Sequence, residues 1–365
     1  MPRMNVNEVK FDCLHFQGAI PCKPNKQHGA ICATCTSYQP INKRILIIKL
    51  GALGDVIRTT PLLSKLRQEH AYAHITWLTL SPDILPANAI DTIYALDAVS
   101  IFALQNSIFD IVINLDKDKE ACLLMQLISS DEKYGFTWED DHIAACTPAA
   151  EHKLMTGFFD QISKENTKSY LEEIFEICHF TFDKEPYQIR LNSAFDSKWK
   201  QKFTDLAKDK IIVGLNTGCG PRWNTRLWSD HHWIDLALKL KAAGYFPVFL
   251  GGALEDEKNK TLALAAGVYY PGNFSLEEFI AITNNCSMVV TQVTMMMHIA
   301  TALQKKLVLM NTIFNPNEFE LYGRGVLIGP PSPCRCYFGN SCSEAHPCML
   351  DITSDVVLEA LSQLN

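Results

Sequence analysis

The chain has 365 residues, of which 47% are hydrophobic and 20% charged. That is the composition of an ordinary globular protein, which excludes the disordered and fibrous classes. A net charge of -7 implies no broad basic surface, which disfavours nucleic acid as a main partner and leaves local basic patches open. The opening MPRMNVNEVKFDCLHFQG has no apolar signal region. No stretch reaches the ~18 apolar residues of a spanning helix. The sequence therefore predicts a cytoplasmic protein and leaves contact with the inner face of the membrane open. The length suits two domains.

In chain order, residues 1–42 come first. They are polar and aperiodic and contain Cys13, Cys22, Cys32 and Cys35. In a cytoplasmic chain, thiols are the stronger reading over disulfides. Four thiolates in so short a span can enclose one tetrahedral metal, with Gly18, Pro21, Pro24 and Gly29 supplying turns. A segment this poor in apolar residues would take much of its order from that metal. Spacing does not separate zinc, iron and an iron–sulfur cluster.

Arg44–Leu50 is a continuous apolar run, the pattern of a parallel strand covered on both faces. Gly51 and Gly54 punctuate the turn after it. Thr60 and Pro61 look like an N-cap and first helical residue. His74–Leu80 and Phe109–Leu115 read as further strands. Residues 117–130 and 151–180 have helical spacing, and the composition shift at Lys184–Ala194 marks an interdomain crossing.

The second half repeats the theme. Lys210–Leu215 is a strand, Trp233–Ala243 an amphipathic helix, and Phe246–Leu250 a strand ending in Gly251 and Gly252. Ser275 caps Leu276–Asn284 with Glu278 as the capping-box acid. Met288–Thr291 and Lys306–Met310 are strands, and Val356–Gln363 is a closing helix. Such alternation predicts an α/β fold with two doubly wound, Rossmann-like domains facing a cleft. The expected division is 1–42 as a cysteine-rich segment, 43–188 and 189–345 as the two domains, and 346–365 as the closing helix.

A second cysteine set, Cys334, Cys336, Cys342 and Cys348, lies near the end. It is also read as a metal site, with reduced loop thiols as the alternative for both sets. Cys122, Cys146, Cys178, Cys219 and Cys286 read as small core residues.

Three blocks together resemble glycosyltransferase family 9, the heptosyltransferases of lipopolysaccharide assembly. They are IIKLGALGDVIRTTPLL (47–63), GLNTGCGPRWNTRLWSDHHW (214–233) followed by FLGG, and TQVTMMMHIATALQKKLVLM (291–310). The resemblance implies a GT-B-like fold, an ADP-sugar donor and inverting transfer. It also implies that the carboxy-terminal cysteines match a stretch that autotransporter heptosyltransferases use as an iron-binding finger.

The same resemblance puts Asp55 at the catalytic-base position, where one carboxylate must take the acceptor proton. Asp116, after the FDIVINL strand, is the alternative base. Gly51 and Gly54 bring backbone close to ligand. Thr217, Gly218 and Gly220 face a diphosphate. Arg226 stands where the family commonly has Lys, and with Arg222 it is expected to stabilise the leaving diphosphate. Glu255 or Glu257 would contact ribose. Glu318 and Glu320 could bind hydroxyls. Thr294, Met297 and His298 form the third block's contribution at a helix N-terminus. Val293 replaces the family's sugar-contacting Asp.

Two readings follow. The first is transfer of heptose, or a similar sugar, from an ADP-sugar to a glycan, lipid-linked glycan or protein acceptor. The second is a metal-binding relative of the same fold that has lost transfer, which Val293 favours. A dinucleotide dehydrogenase is disfavoured, because Gly51 and Gly54 lack the GxGxxG spacing and no NAD is expected. The acceptor, the exact sugar, the metal and the oligomeric state stay open.

Overall fold

The structure, a computed structural model, describes residues 5–342 and 344–364; the side chains of residues 221–223 lie outside the described set. Two compact units form. The first comprises the chain up to Leu50, Leu62–Leu80 and Ala87–Thr147; the second comprises Gly51–Pro61, Ser81–Pro86 and the chain from Pro148.

In the first unit, β1 (Lys43–Ile48), β2 (Ala73–Thr79), β3 (Thr92–Ala95), β4 (Phe109–Asn114), β5 (Ser130–Glu139) and β6 (His142–Ala145) form one sheet of order β3-β2-β1-β4-β5-β6. All pairings are parallel except β5 with β6. Ile45, Leu46, Ile47 and Ile48 of β1 are fully buried, as a central parallel strand requires. Leu124 and Met125 help cover Leu46, Ile48 and Val112 on one face.

In the second unit, β7 (Ile212–Asn216), β8 (Phe246–Leu250), β9 (Met288–Gln292), β10 (Lys306–Met310) and β11 (Gly325–Ile328) form a wholly parallel sheet of order β11-β10-β9-β7-β8. The chain reverses direction across the sheet between β7 and β9. That is the switch point beyond whose carboxyl ends open α/β sheets bind ligands. One face is sealed by Trp228, Trp233, Leu236 and Leu361, all nearly inaccessible, with Trp228 Nε1 donating to the Ile352 carbonyl at 2.7 Å.

The division differs from the one expected at 188/189. Gly51–Pro61 and the helices of 148–188 belong with the second unit. Their packing explains this: the helix Leu53–Thr59 packs against Met295–Ala302 and Tyr170–Ile177.

Three local expectations also change. Thr60 follows the helix Leu53–Thr59 as its C-cap rather than opening the next one, its hydroxyl turned back to the Ile57 carbonyl at 2.6 Å. Ser275 caps its helix as expected, but the Glu278 carboxylate does not complete the box; Trp199 Nε1 and Lys198 claim it at 2.9 and 2.7 Å. Residues 151–180 form three helices, Glu151–Phe158, Asp160–Glu165 and Tyr170–Ile177. Among the described residues no helix is long and apolar enough to cross a membrane.

Candidate functional site

The loops leaving β7, β8 and β9 enclose a cavity of about 580 Å³ in the second unit, within the range of small-ligand sites. Asn216, Gly218, Cys219 and Gly220 line it after β7, and Gly251, Gly252 and Glu255 after β8. Thr294, Met295 and Met296 line it after β9. Leu254, Phe274, Leu276 and Phe279 add apolar wall. This polar and apolar mixture suits a nucleotide, whose base is flat and apolar and whose phosphates need donors.

Each loop is shaped by specific contacts. Asn216 donates to the Gly218 carbonyl and to Thr291 Oγ1, both at 3.0 Å, which curls the chain directly after the strand. A Cβ on Gly218 would run into the Glu255 carboxyl group, and one on Gly251 would lie 2.7 Å from Glu255 Cβ. The two glycines therefore make room for Glu255, whose carboxylate accepts from the Gly252 N–H at 2.9 Å. Thr294 caps the helix Met295–Ala302 by accepting from the Met296 N–H at 3.1 Å. That helix presents its positive end to the cavity.

Asp55 lies beside this cavity. Leu53, two residues before it, is part of the lining. A Cβ on Gly54 would meet His298 Cδ2 at 2.7 Å and the Met295 Cα at 3.5 Å. Gly54 thus lets the helix Leu53–Thr59 press against the capped end of Met295–Ala302. The Asp55 carboxylate pairs with Arg58 Nη2 at 2.8 Å and accepts from the Ala52 N–H at 3.3 Å, with a third of its side chain exposed.

His298 does not line the cavity. It is buried, stacks on Tyr187 at 6.1 Å between centroids, and its Nδ1 has no hydrogen-bond partner. Burial, and next the neighbouring Arg58, lower its pKa to about 3. The folded chain thus refuses a proton that the unfolded chain takes up near pH 6.5, so stability falls as pH drops below that value. Between pH 7 and 5 the loss from this residue is expected to be about 2 kcal/mol. Urea unfolding of wild type and His298→Gln at both pH values checks it: the variant's stability should fall less on acidification.

The other expected residues divide as follows. Gly218, Gly220, Glu255 and Thr294 line the cavity; Gly51, Gly54, Thr217 and Met297 do not. Thr217 is fully buried and donates to Asn259 at 2.6 Å. Met297 packs in the core. The Arg222 side chain lies outside the described residues. Arg226 is buried, and its guanidinium donates to the Cys219 carbonyl at 2.8 Å and to the Val293 carbonyl. Burial lowers its pKa. It ties the β7 loop to the β9 loop behind the cavity.

Asp116, in the first unit, is nearly inaccessible. Its two oxygens take the Lys49 ammonium and the Leu50 N–H. Burial pushes its carboxyl up, against the pull of Lys49. The group braces the ends of β1 and β4. Glu257 is exposed and paired with Lys260, and Glu320 pairs with Lys184.

Sequence reasoning missed Arg58, Asn216 and Lys258. Lys258 Nζ lies 3.4 Å from the Thr217 carbonyl and 3.1 Å from Asp230, and its charge acts on the Cys219 thiol at the cavity wall. Its signal was its place one helical turn after Glu255.

The eight cysteines expected as ligands are half-buried and in no disulfide. The Cys348 thiol is pushed up to about 12 by burial, then by a hydrogen bond with Cys334 and the nearness of Cys342 and Cys336. Among the described residues no group of three or more His, Cys, Asp or Glu side chains stands in position to hold a metal ion.

A model of glycosyltransferase family 9 (heptosyltransferase) matches residues 101–343. With more than half of its length matched, the chain belongs to that family. Among curated proteins it is similar to lipooligosaccharide heptosyltransferase 2 of Haemophilus influenzae, 26% identical over 45% of this chain and 50% of that one. The chain thus spans about half the length of the curated relatives it matches.

Among solved structures it is similar to the family 9 glycosyl transferase of Veillonella parvula, with TM-score 0.68 and 19% identity over 89% of this chain and 97% of that one. It is also similar to E. coli ADP-heptose LPS heptosyltransferase II, with TM-score 0.61 and 17% identity over 88% and 98%. The iron-containing dodecameric glycosyltransferase TibC of E. coli shares the fold at TM-score 0.55 and 12% identity, over 88% and 78%. The fold is therefore the GT-B type of the heptosyltransferases.

Proposed function

We propose that the chain transfers heptose, or a closely similar sugar, from an ADP-sugar to an acceptor hydroxyl with inversion, Asp55 acting as base. One observation carries this reading: the helix that bears Asp55 is pressed through Gly54 onto the helix whose capped N-terminus lines the nucleotide-sized cavity. An acid and a diphosphate site so placed can address one glycosidic carbon. Asp55 takes the acceptor O–H proton, the oxygen attacks the anomeric carbon, and the bond from that carbon to the diphosphate breaks with ADP leaving. A single displacement inverts the centre. The N–H groups after β7 and the positive end of Met295–Ala302 meet the charge that develops on ADP. Lys258 and Arg222 are the added cations, and Glu255 is the ribose contact.

Relatives named for ADP-heptose support the donor. The chain's acceptor is a glycan, lipid-linked glycan or protein, met in the cytoplasm or at the inner face of the membrane. The test is release of ADP from ADP-heptose, with and without a core oligosaccharide, by wild type and by an Asp55 variant. The same test separates transfer from the inactive-relative reading that Val293 favours, since an inactive relative releases no ADP in either form.

Cysteine-bound metal is part of this reading. The support is the chemistry of the residues: Cys334, Cys336, Cys342 and Cys348 are free of cross-links, and thiols are the ligand type that zinc and iron take in tetrahedral sites. The metal would order the segment and takes no part in transfer. Cys13, Cys22, Cys32 and Cys35 form the second proposed set. Across residues 5–42 Pro24 alone is buried, so that segment has no core of its own and needs a staple. The purified protein is expected to carry zinc or iron at about one ion per occupied set, read by elemental analysis. Cys348→Ser should remove the carboxy-terminal ion and leave the other.

A further inference from the structure

We infer that Arg58 is a positioning residue for Asp55, a buried guanidinium that fixes the orientation and the charge of the base. The inference rests on reading Asp55 as the base. An exposed i,i+3 ion pair on a helix surface contributes little and holds nothing in place. This pair is different. The Arg58 side chain is only 16% exposed, and its Nε is buried without a hydrogen-bond partner. A charge kept out of water in that way persists only where its surroundings over-determine it.

Three contacts do so. Arg58 Cζ lies 3.5 Å from the centroid of the Tyr170 ring, a cation–π stack that sets the guanidinium plane. Nη2 holds Asp55 Oδ1 at 2.8 Å, and Nη1 lies 4.0 Å from Glu318 Oε2. Tyr170 also tethers the segment itself: its hydroxyl lies 3.3 Å from Thr59 Oγ1, which in turn donates to the Asp55 carbonyl at 2.8 Å. One Asp55 oxygen is thus anchored by Arg58 and the other by the Ala52 N–H. The carboxylate is held on both sides with a third of its side chain open. The adjacent cation favours the ionised form that a base must have before it takes a proton.

The experiment is ADP release from ADP-heptose across pH 5–9 for wild type, Arg58→Met, Arg58→Lys, Tyr170→Leu and Asp55→Asn, with circular dichroism of each. Arg58→Met is expected to lower kcat by roughly 10–100-fold, with KM for ADP-heptose within about 2-fold and the acidic limb moved to higher pH. Arg58→Lys should return the limb, because charge is kept, but only part of kcat, because the planar stack is lost. A folded Arg58→Met with wild-type kcat and limb overturns the inference. If Arg58→Met does not fold, Tyr170→Leu decides: it removes the stack and keeps both charges, and an unchanged kcat is equally fatal. The two readings fail apart. Full turnover by Asp55→Asn removes the base, whereas inactive Asp55→Asn beside an unaffected Arg58→Met removes only the positioning role.

Discussion

Asp55→Asn is expected to lower kcat for sugar transfer by roughly 10²–10⁴-fold while leaving ADP affinity within about 2-fold. The amide is close in size and shape to the carboxylate. It can still accept from the Ala52 N–H, as Asp55 does at 3.3 Å, but its NH2 then faces the Arg58 guanidinium that Asp55 pairs with at 2.8 Å, so part of the stability is lost as well. What it cannot do is take the acceptor's proton. A loss of that size raises the barrier by about 3–5 kcal/mol, the scale of a removed general base. Affinity should hold because Asp55 is not part of the cavity wall; Leu53 is. Asp116 makes the control. Its oxygens are engaged by Lys49 and the Leu50 N–H in a nearly inaccessible position. Asp116→Asn should therefore act chiefly on stability, by leaving a buried ammonium without its counter-charge. Stopped-assay ADP release, calorimetric ADP titration and urea unfolding separate the two variants. Equal turnover by Asp55→Asn and wild type would remove Asp55 from the chemistry.

The sequence made the central strands legible because burial on both faces leaves an unbroken apolar run. β1, β4, β7 and β10 fall within two residues of where those runs place them. It hid β5 and β6 because SDEKYGFTWE is charged and half-exposed, forming with β6 an antiparallel hairpin at the sheet edge. It hid the helix Ser193–Ala207 because only Trp199, Phe203 and Ala207 of that element are buried, too few to mark an apolar stripe. In the site, the glycines were readable because a missing Cβ is visible in the letters. The partners that use the space were not: that Gly54 admits His298, or that Gly218 admits Glu255, is a fact of packing. Arg58 was hidden for the same reason. Three residues after Asp55 it reads as a solvated pair, and only Tyr170 and Glu318, distant in the chain, show that it is buried.

Arg226→Ala is expected to destabilise the protein before any donor is added, by about 2–4 kcal/mol. The resemblance to family 9 offered Arg226 as a cation for the diphosphate. The guanidinium instead donates to the Cys219 and Val293 carbonyls from a buried position, over the Phe314 ring at 5.3 Å. Truncation leaves two buried acceptors unsatisfied and opens a cavity between the loops after β7 and β9. Those loops form two sides of the donor cavity, so ADP affinity should fall together with stability. Arg226→Lys should not restore either fully, since one ammonium lacks the planar fork that bridges two carbonyls. A residue that merely gripped phosphate would behave otherwise: its removal would weaken ADP binding and leave the unfolding midpoint of the ligand-free chain where it was. Urea unfolding without ADP is therefore the deciding measurement, and an unshifted midpoint would return Arg226 to the phosphate. The position of Val293 makes the same point from the other side. Its carbonyl is one of the two that Arg226 holds, and its side chain is buried. An Asp introduced there, Val293→Asp, buries a new carboxylate and is expected to lower the unfolding midpoint, and to act on the choice of sugar, measured as relative kcat/KM for ADP-heptose and ADP-glucose.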